Sequence, residues 1–145
     1  MTSHNKSLVY RAGTVPYIVE DGVIKMLFMR PSDPEYGGDR MQIAKGKIED
    51  GESAFDAALR EAKEETNIDV ELLDLVNVYS KPDRDPRGHT ITVAYIAKGN
   101  MDNKKADSDA CEIGIFSQKD LVNIELAFDH AKIINDCLNA VSSKF

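Results

Sequence analysis

Residues 46–68 read GKIEDGESAFDAALREAKEETNI and carry clear start and stop signals for a helix. Ser53 can accept a hydrogen bond from the first helical turn, and Asp56 stands three residues later, which gives a capping box. Asn67 tolerates the left-handed backbone conformation in which helices commonly end. The pattern therefore predicts a helix that begins after Ser53 and ends near Thr66.

Acidic and apolar side chains occupy different arcs of this predicted helix. At about 100° per residue, one arc is apolar and is expected to face the core; it contains Phe55, Ala58, Leu59 and Ala62. The neighbouring arc holds three carboxylates and two small residues, namely Glu61, Glu64, Glu65, Ala54 and Ala57. Glu61 and Glu65 stand one turn apart, and like charges at that spacing destabilise a helix by roughly 0.2–0.5 kcal/mol.

A bound cation would explain this crowding of acid. Hard divalent cations prefer oxygen ligands from a few carboxylates, and substrate phosphates complete the coordination shell. The alanines of the same arc leave room above the helix for such a ligand. We therefore interpret the acidic arc as a metal site, with a solvated acidic surface as the alternative interpretation.

The stretch also resembles the Nudix box. The family pattern is a Gly, five residues, a Glu, seven residues, Arg-Glu, an apolar residue, any residue, Glu-Glu, any residue, Gly and an apolar residue. The corresponding positions in this sequence are Gly46, Glu52, Arg60, Glu61, Ala62, Glu64, Glu65, Asn67 and Ile68. Asn67 replaces the usual Gly, a mild departure because both residues accept the left-handed conformation.

The resemblance implies hydrolysis of a nucleoside diphosphate linked to another moiety. It implies that Glu61, Glu64 and Glu65 bind Mg²⁺ or Mn²⁺, joined by a backbone carbonyl at Lys45 or Gly46. Arg60 would then hold the carboxylates in place, with support from Glu52. The general base varies in the family between a box glutamate and an acid in a later loop. Glu112 is a candidate for that acid, and a plain surface glutamate is the alternative.

The remainder of the chain indicates a mixed α/β fold. Strand-like segments precede and follow the central helix, among them 8–19, 23–30, 70–80 and 90–97. RMQIA (40–44) is interpreted as a short strand, and KGKIEDGE (45–52) as a tight loop. Leu126, Ile133, Ile134, Cys137, Leu138 and Val141 give a closing amphipathic helix. This order matches the α/β/α sandwich with a mixed sheet that the Nudix resemblance implies, as a single domain over residues 1–145.

Composition narrows the class of partner. The chain has 145 residues and a formal net charge of −7, which argues against nucleic-acid binding. No apolar run is long enough to span a membrane, and the first ten residues lack the apolar region of a signal peptide. Cys111 and Cys137 lack metal-type spacing and are interpreted as reduced thiols of a cytoplasmic protein.

Two features outside the box point to different substrates. Residues 79–97 resemble ADP-ribose pyrophosphatases, and Arg84 and Arg87 could contact the diphosphate or the terminal ribose. Their alternative is a pair of solvated loop arginines. Lys45, where the family more often has Gly, resembles dinucleoside polyphosphate hydrolases and could contact an extra phosphate. Tyr36 could stack on an adenine, with an exposed loop tyrosine as the alternative.

We give residues 79–97 more weight than Lys45 alone and therefore expect ADP-ribose as the substrate. A diadenosine oligophosphate is the second candidate. A sensor that binds ADP-ribose without cleaving it is a third hypothesis, disfavoured because all four box glutamates are present. The choice between Mg²⁺ and Mn²⁺, the phosphorus attacked and a possible homodimer stay open at this point.

Overall fold

The computed structural model describes residues 8–31, 40–82, 89–99, 101, 110–121 and 130–143. The strands are β1 (Val9–Glu20), β2 (Val23–Pro31), β3 (Ala44–Lys47), β4 (Val70–Tyr79), β5 (Thr90–Gly99) and β6 (Ala110–Ser117). The helices are α1 (Ala54–Thr66), α2 (Gln118–Leu121) and α3 (His130–Ser142). Among the helices of the described ranges, none has both the length and the apolar character needed to cross a membrane.

The six strands form one mixed sheet in which β1 has the central place. The order is β4-β5-β1-β2-β6, and β3 pairs with β1 beside this path. β1 runs parallel to β5, whereas its pairs with β2 and β3 are antiparallel. The first half of β1 pairs with β3 and the second half with β2, so the short strand β3 lies beside the beginning of β1.

Helices cover both faces of this sheet. Ile133, Ile134 and Cys137 of α3 belong to the largest apolar cluster, together with side chains of β1, β2, β4 and β5. Ala57 and Ala58 of α1 pack against Ala12 on the other face. The α/β/α sandwich predicted from the sequence is therefore confirmed, and the closing helix is present from His130, whereas Leu126 lies outside the described residues.

The ends of α1 also follow the prediction. The Ser53 hydroxyl accepts a hydrogen bond from the Asp56 amide at 3.0 Å, which satisfies one free N–H of the first turn. Asn67 ends the helix with φ 62°, in the left-handed region, and its own N–H bonds to the Lys63 carbonyl. Local capping chemistry therefore sets both ends of the helix.

The predicted orientation of α1 was correct for Ala58 and Ala62, which are fully buried, and wrong for Phe55. Phe55 was expected in the core but is 47% exposed, and its ring makes an edge contact with Tyr95. The buried face also includes Ala57, Glu61 and Glu65. Small side chains let α1 approach the sheet closely, and Glu61 of the same face meets the Gly46 backbone of β3.

The boundary of β3 was also wrong. Residues 40–44 were predicted as a strand and 45–52 as a loop, but β3 runs from Ala44 to Lys47. Gln42 forms an isolated bridge with Met29 instead. The strand contains two lysines and a glycine, which have low strand propensity, and it exists because its backbone pairs with β1.

Candidate active site

The Glu61 carboxylate rests directly against the backbone of Gly46. A Cβ atom built at Gly46 would overlap all three carboxylate atoms of Glu61. Gly46 has no left-handed φ, so glycine is needed there for space and not for conformation. The absent side chain thereby brings the β3 backbone into contact with a carboxylate of α1.

The box glutamates differ in their exposure. Glu61 and Glu65 are only 8% and 6% exposed, because they lie one turn apart on the buried face of α1. The side chain of Glu64 is 55% exposed and points to the solvent-facing side of the helix. Burial of a charged carboxylate is costly unless it is paired or coordinates a metal, and the buried Glu61 is paired with Arg60.

Arg60 binds three carboxylates at once. Its Nε and Nη2 donate to the two oxygens of Glu52 at 2.8 and 2.9 Å, a bidentate pair. Its Nη1 donates to Glu61 at 2.7 Å and to Glu64 at 3.1 Å. Nη2 also donates to the Lys47 carbonyl at 3.0 Å. One guanidinium thus connects α1, β3 and the loop between them.

The loop before α1 is closed by Glu52. Its carboxylate accepts the Glu49 amide at 3.1 Å, and its amide donates to the Glu49 carbonyl at 3.0 Å. The Arg60 hydrogen bonds, followed by the Glu49 amide, lower the pKa of Glu52 from 4.5 to about 2. The hydrogen bond to Glu52 is also the largest cause of the raised pKa of Arg60. The pair is therefore ionised throughout the neutral range.

The donor chemistry of this cluster fits a hard divalent cation. Its acidic side chains offer carboxylate oxygens, the ligands that Mg²⁺ and Mn²⁺ favour, and the Gly46 backbone adjoins the Glu61 carboxylate. Within the described ranges, however, no group of three or more acidic, histidine or cysteine side chains is arranged around a common metal position. Arg60 lies between Glu61 and Glu64 instead.

The profile of the NUDIX domain matches residues 10–137 of the chain. The chain belongs to the Nudix family. An ADP-ribose pyrophosphatase from Methanocaldococcus jannaschii is 40% identical over 133 residues, which cover 88% of this chain and 76% of that protein. This identity supports membership along nearly the whole sequence.

Two solved Nudix structures illustrate the fold. A MutT/nudix family protein from Enterococcus faecalis has a TM-score of 0.83 at 25% identity, covering 99% of this chain and 65% of that one. A bifunctional NMN adenylyltransferase/ADP ribose pyrophosphatase from Francisella tularensis, complexed with AMP and a manganese ion, has a TM-score of 0.76 at 25% identity. That match covers 95% of this chain and 43% of the Francisella chain. The chain therefore spans less than two thirds of either structure.

Three of the residues proposed for the Nudix substrate, Tyr36, Arg84 and Arg87, lie outside the described residues. Glu112 is placed by its backbone on β6, in register with Arg30 of β2. Lys45 is half-buried on β3, and its ammonium donates to the Gln42 side chain at 2.9 Å. The sequence analysis missed Gln42, since a glutamine outside the box carries no motif signal.

Proposed function

We propose that this Nudix protein is a metal-dependent pyrophosphohydrolase that cleaves ADP-ribose to AMP and ribose 5-phosphate. The site observation that carries the proposal is the Glu52–Arg60–Glu61 network against the Gly46 backbone. The substrate is supported by the 40% identical ADP-ribose pyrophosphatase of Methanocaldococcus jannaschii.

The residues divide into those that hold the cation and those that hold its ligands. When bound, a divalent cation neutralises the diphosphate and activates water for in-line attack at phosphorus. Glu61, Glu64, Glu65 and the Gly46 carbonyl would hold that cation. Arg60 holds Glu61 and Glu52 in position through hydrogen bonds, so that both carboxylates are placed before substrate arrives.

The cofactor is proposed to be Mg²⁺ or Mn²⁺. Both accept carboxylate oxygens, and the Francisella tularensis relative was crystallised with a manganese ion. The general base stays a prediction, either a box glutamate or Glu112. Equilibrium dialysis of each metal against the protein and Glu61→Gln would test the assignment apart from activity.

Hydrolysis of diadenosine oligophosphates is the second candidate. Lys45 favours it, since it directly precedes Gly46 in β3 and its ammonium is held in place by Gln42. A fixed cation there could bind a phosphate beyond the two of ADP-ribose. One enzyme could act on both substrates, because the adenosine half and the diphosphate are shared.

The remaining expectations about partners also stand as proposals. A small nucleotide, and no nucleic acid, fits the net charge of −7. A single Nudix domain over residues 1–145 is supported by the match to residues 10–137. A cytoplasmic location, the absence of a membrane partner and a possible homodimer stay predictions, the last testable by analytical ultracentrifugation.

The deciding experiment is product analysis with Mg²⁺ on ADP-ribose and diadenosine tetraphosphate, at equal concentrations in parallel. We expect rapid AMP formation from ADP-ribose. ATP and AMP from the tetraphosphate, with little ADP-ribose cleavage, would favour the second candidate. Tight binding of ADP-ribose without cleavage would instead identify a sensor.

A further inference from the structure

The strands β4 and β5 carry apolar side chains on both faces of the sheet. On one face, Leu73 and Val76 of β4 pack against the large apolar cluster that includes α3. On the other face, Leu75 lies in register with Tyr95 of β5, and Tyr95 packs against the alanine cluster of α1. Strands that are apolar on both faces are typical of sheets covered on both sides, so a covering layer is expected over each face.

The helix α1 covers only one part of its face. Its alanines pack over β1, and its carboxylate contact reaches β3. Large apolar side chains outside these contacts remain in water. Tyr10 and Leu75 are 50% and 53% exposed, and Val78 and Phe55 are 44% and 47% exposed. The described chain therefore leaves the β4–β5 side of this face without a cover.

The exposed side chains are neighbours on that face. Val78 lies in register with Val93 of β5. Tyr10 of β1 pairs with β5 two residues before Val93 and therefore shares its face. The Phe55 ring makes an edge contact with Tyr95, two residues after Val93, at 6.1 Å between ring centroids. We call this surface the uncovered face, and its six residues are Tyr10, Phe55, Leu75, Val78, Val93 and Tyr95.

The uncovered face is large for the surface of a monomer. Because a buried aromatic side chain covers about 150–250 Å², the half-exposed Tyr10 and Phe55 alone leave roughly 200 Å² in water. Leu75 and Val78 add to this area, and none of the six residues is charged. A contiguous apolar patch of several hundred Å² commonly marks an interaction site.

The segments that border the uncovered face are polar in sequence. Residues 1–7, which precede β1, read MTSHNKS, and residues 83–88, between β4 and β5, read DRDPRG. Apart from Met1, neither segment contains a large apolar side chain that could replace water on the face. Their composition therefore favours a cover from another molecule.

We propose that a second copy of the chain covers this surface, with the two uncovered faces packed together about a two-fold axis. In such a dimer each apolar patch meets its own copy. The six uncharged residues let two chains of net charge −7 meet there without opposed carboxylates. A stable interface needs about 800 Å² from each partner, of which about 65% is apolar in homodimers. The six side chains supply the greater part of the ~500 Å² of apolar surface that these figures imply.

Two matched valine variants test the interface by sedimentation velocity over a range of protein concentrations. Val78 of the uncovered face is 44% exposed, and Val23 at the start of β2 is 45% exposed. Val78→Glu places a charge in the interface from both copies, so the dissociation constant of the dimer should rise about 100-fold, tenfold for each copy. Val23→Glu should leave it unchanged. Equal effects of the two substitutions, or a wild type that is monomeric even at ~100 µM, would overturn the proposal.

A single tryptophan locates the contact independently, which keeps the test valid if Val78→Glu fails to fold. The chain has no tryptophan, so Phe55→Trp introduces one on the uncovered face. Its quenching by acrylamide should fall several-fold as the protein concentration rises through the dissociation constant, because the ring leaves water. Val23→Trp is the control and should be quenched equally at every concentration. Equal quenching of the Phe55→Trp protein as monomer and as dimer would place the interface elsewhere and contradict the proposal. Both measurements are made without substrate, so their outcome is independent of the hydrolysis proposed above.

Discussion

At the residue scale, the Arg60 guanidinium organises the site by bonding to several carboxylates at once. Glu52 receives a bidentate pair, whereas Glu61 and Glu64 share one nitrogen. The structural role thus falls on Glu52, and the exposed Glu64 contributes one hydrogen bond only. Loss of Glu64 should therefore affect chemistry more than stability.

Glu64→Gln is expected to lower kcat about 100-fold or more through loss of a cation ligand, with an unchanged unfolding temperature. Glu49→Gln is the matched control, since Glu49 is also exposed and approaches Arg60 only to 3.9 Å. Steady-state kinetics and thermal unfolding of both variants provide the measurement. Near-normal turnover by Glu64→Gln would reject its assignment as a metal ligand.

Gly46→Ala is expected to destabilise the fold, because the new Cβ would overlap the Glu61 carboxylate. Overpacking of this kind typically costs about 1–3 kcal/mol in the free energy of unfolding. The cost should largely disappear in a Glu61→Ala background, as urea unfolding of all four proteins would measure. An equal cost in both backgrounds would show that the backbone of position 46, and not the contact, demands glycine.

The contribution of Glu52 to the free energy of unfolding depends on pH. Its pKa is lowered from 4.5 to about 2, so folding favours the ionised form. Its stabilising contribution is therefore complete above pH 4.5 and is lost as pH falls through about 2. Glu52→Gln should be destabilised at pH 6, with the difference from wild type shrinking towards pH ~2. The measurement is the urea midpoint of wild type and Glu52→Gln across this pH range, with the exposed Glu71→Gln as control. A difference between wild type and Glu52→Gln that stays constant with pH would contradict the prediction.

At the scale of the element, α1 shows what local sequence determines and what it does not. Ser53 and Asn67 act on their own backbone neighbours, so both ends of the helix were predictable. The rotation of the helix was predicted only in part: Ala58 and Ala62 are buried as expected, but Phe55 is exposed and the contact of Glu61 with Gly46 joins distant elements. For the same reason the sequence indicated Lys45 but not its partner Gln42, and β3 became visible only through its pairing with β1.

The single departure from the Nudix pattern is testable at the end of α1. Asn67 adopts φ 62°, where glycine is unstrained and a β-carbon without a polar side chain is disfavoured. Asn67→Gly should therefore change the free energy of unfolding by less than ~0.5 kcal/mol, and Asn67→Ala should lower it by about 1 kcal/mol. Chemical denaturation of Asn67→Gly and Asn67→Ala provides the measurement. Equal stabilities of the two variants would mean that the left-handed backbone conformation does not determine the residue preferred at position 67.

At the scale of the whole molecule, the largest apolar cluster joins α3 to four strands, and Cys137 lies within it fully buried. Burial, and next the nearby Asp136, raise the pKa of its thiol to about 12. The reactive thiolate is therefore both scarce and inaccessible while α3 stays packed against the sheet. A reagent in solution can therefore reach the Cys137 thiol only when the α/β/α sandwich opens.

In a Cys111→Ser background, native Cys137 should resist iodoacetamide at pH 8 and react fully in urea. If α3 opens only when the whole domain unfolds, the logarithm of the labelling rate should rise with urea along the global unfolding slope. A smaller slope would mean that α3 detaches alone while the β3–α1 site stays folded. Because α3 covers the face of the sheet opposite α1, turnover measured at the same urea concentrations would then persist beyond the onset of labelling. Coincident loss of turnover and protection would instead establish that the active site and the closing helix form one cooperative unit.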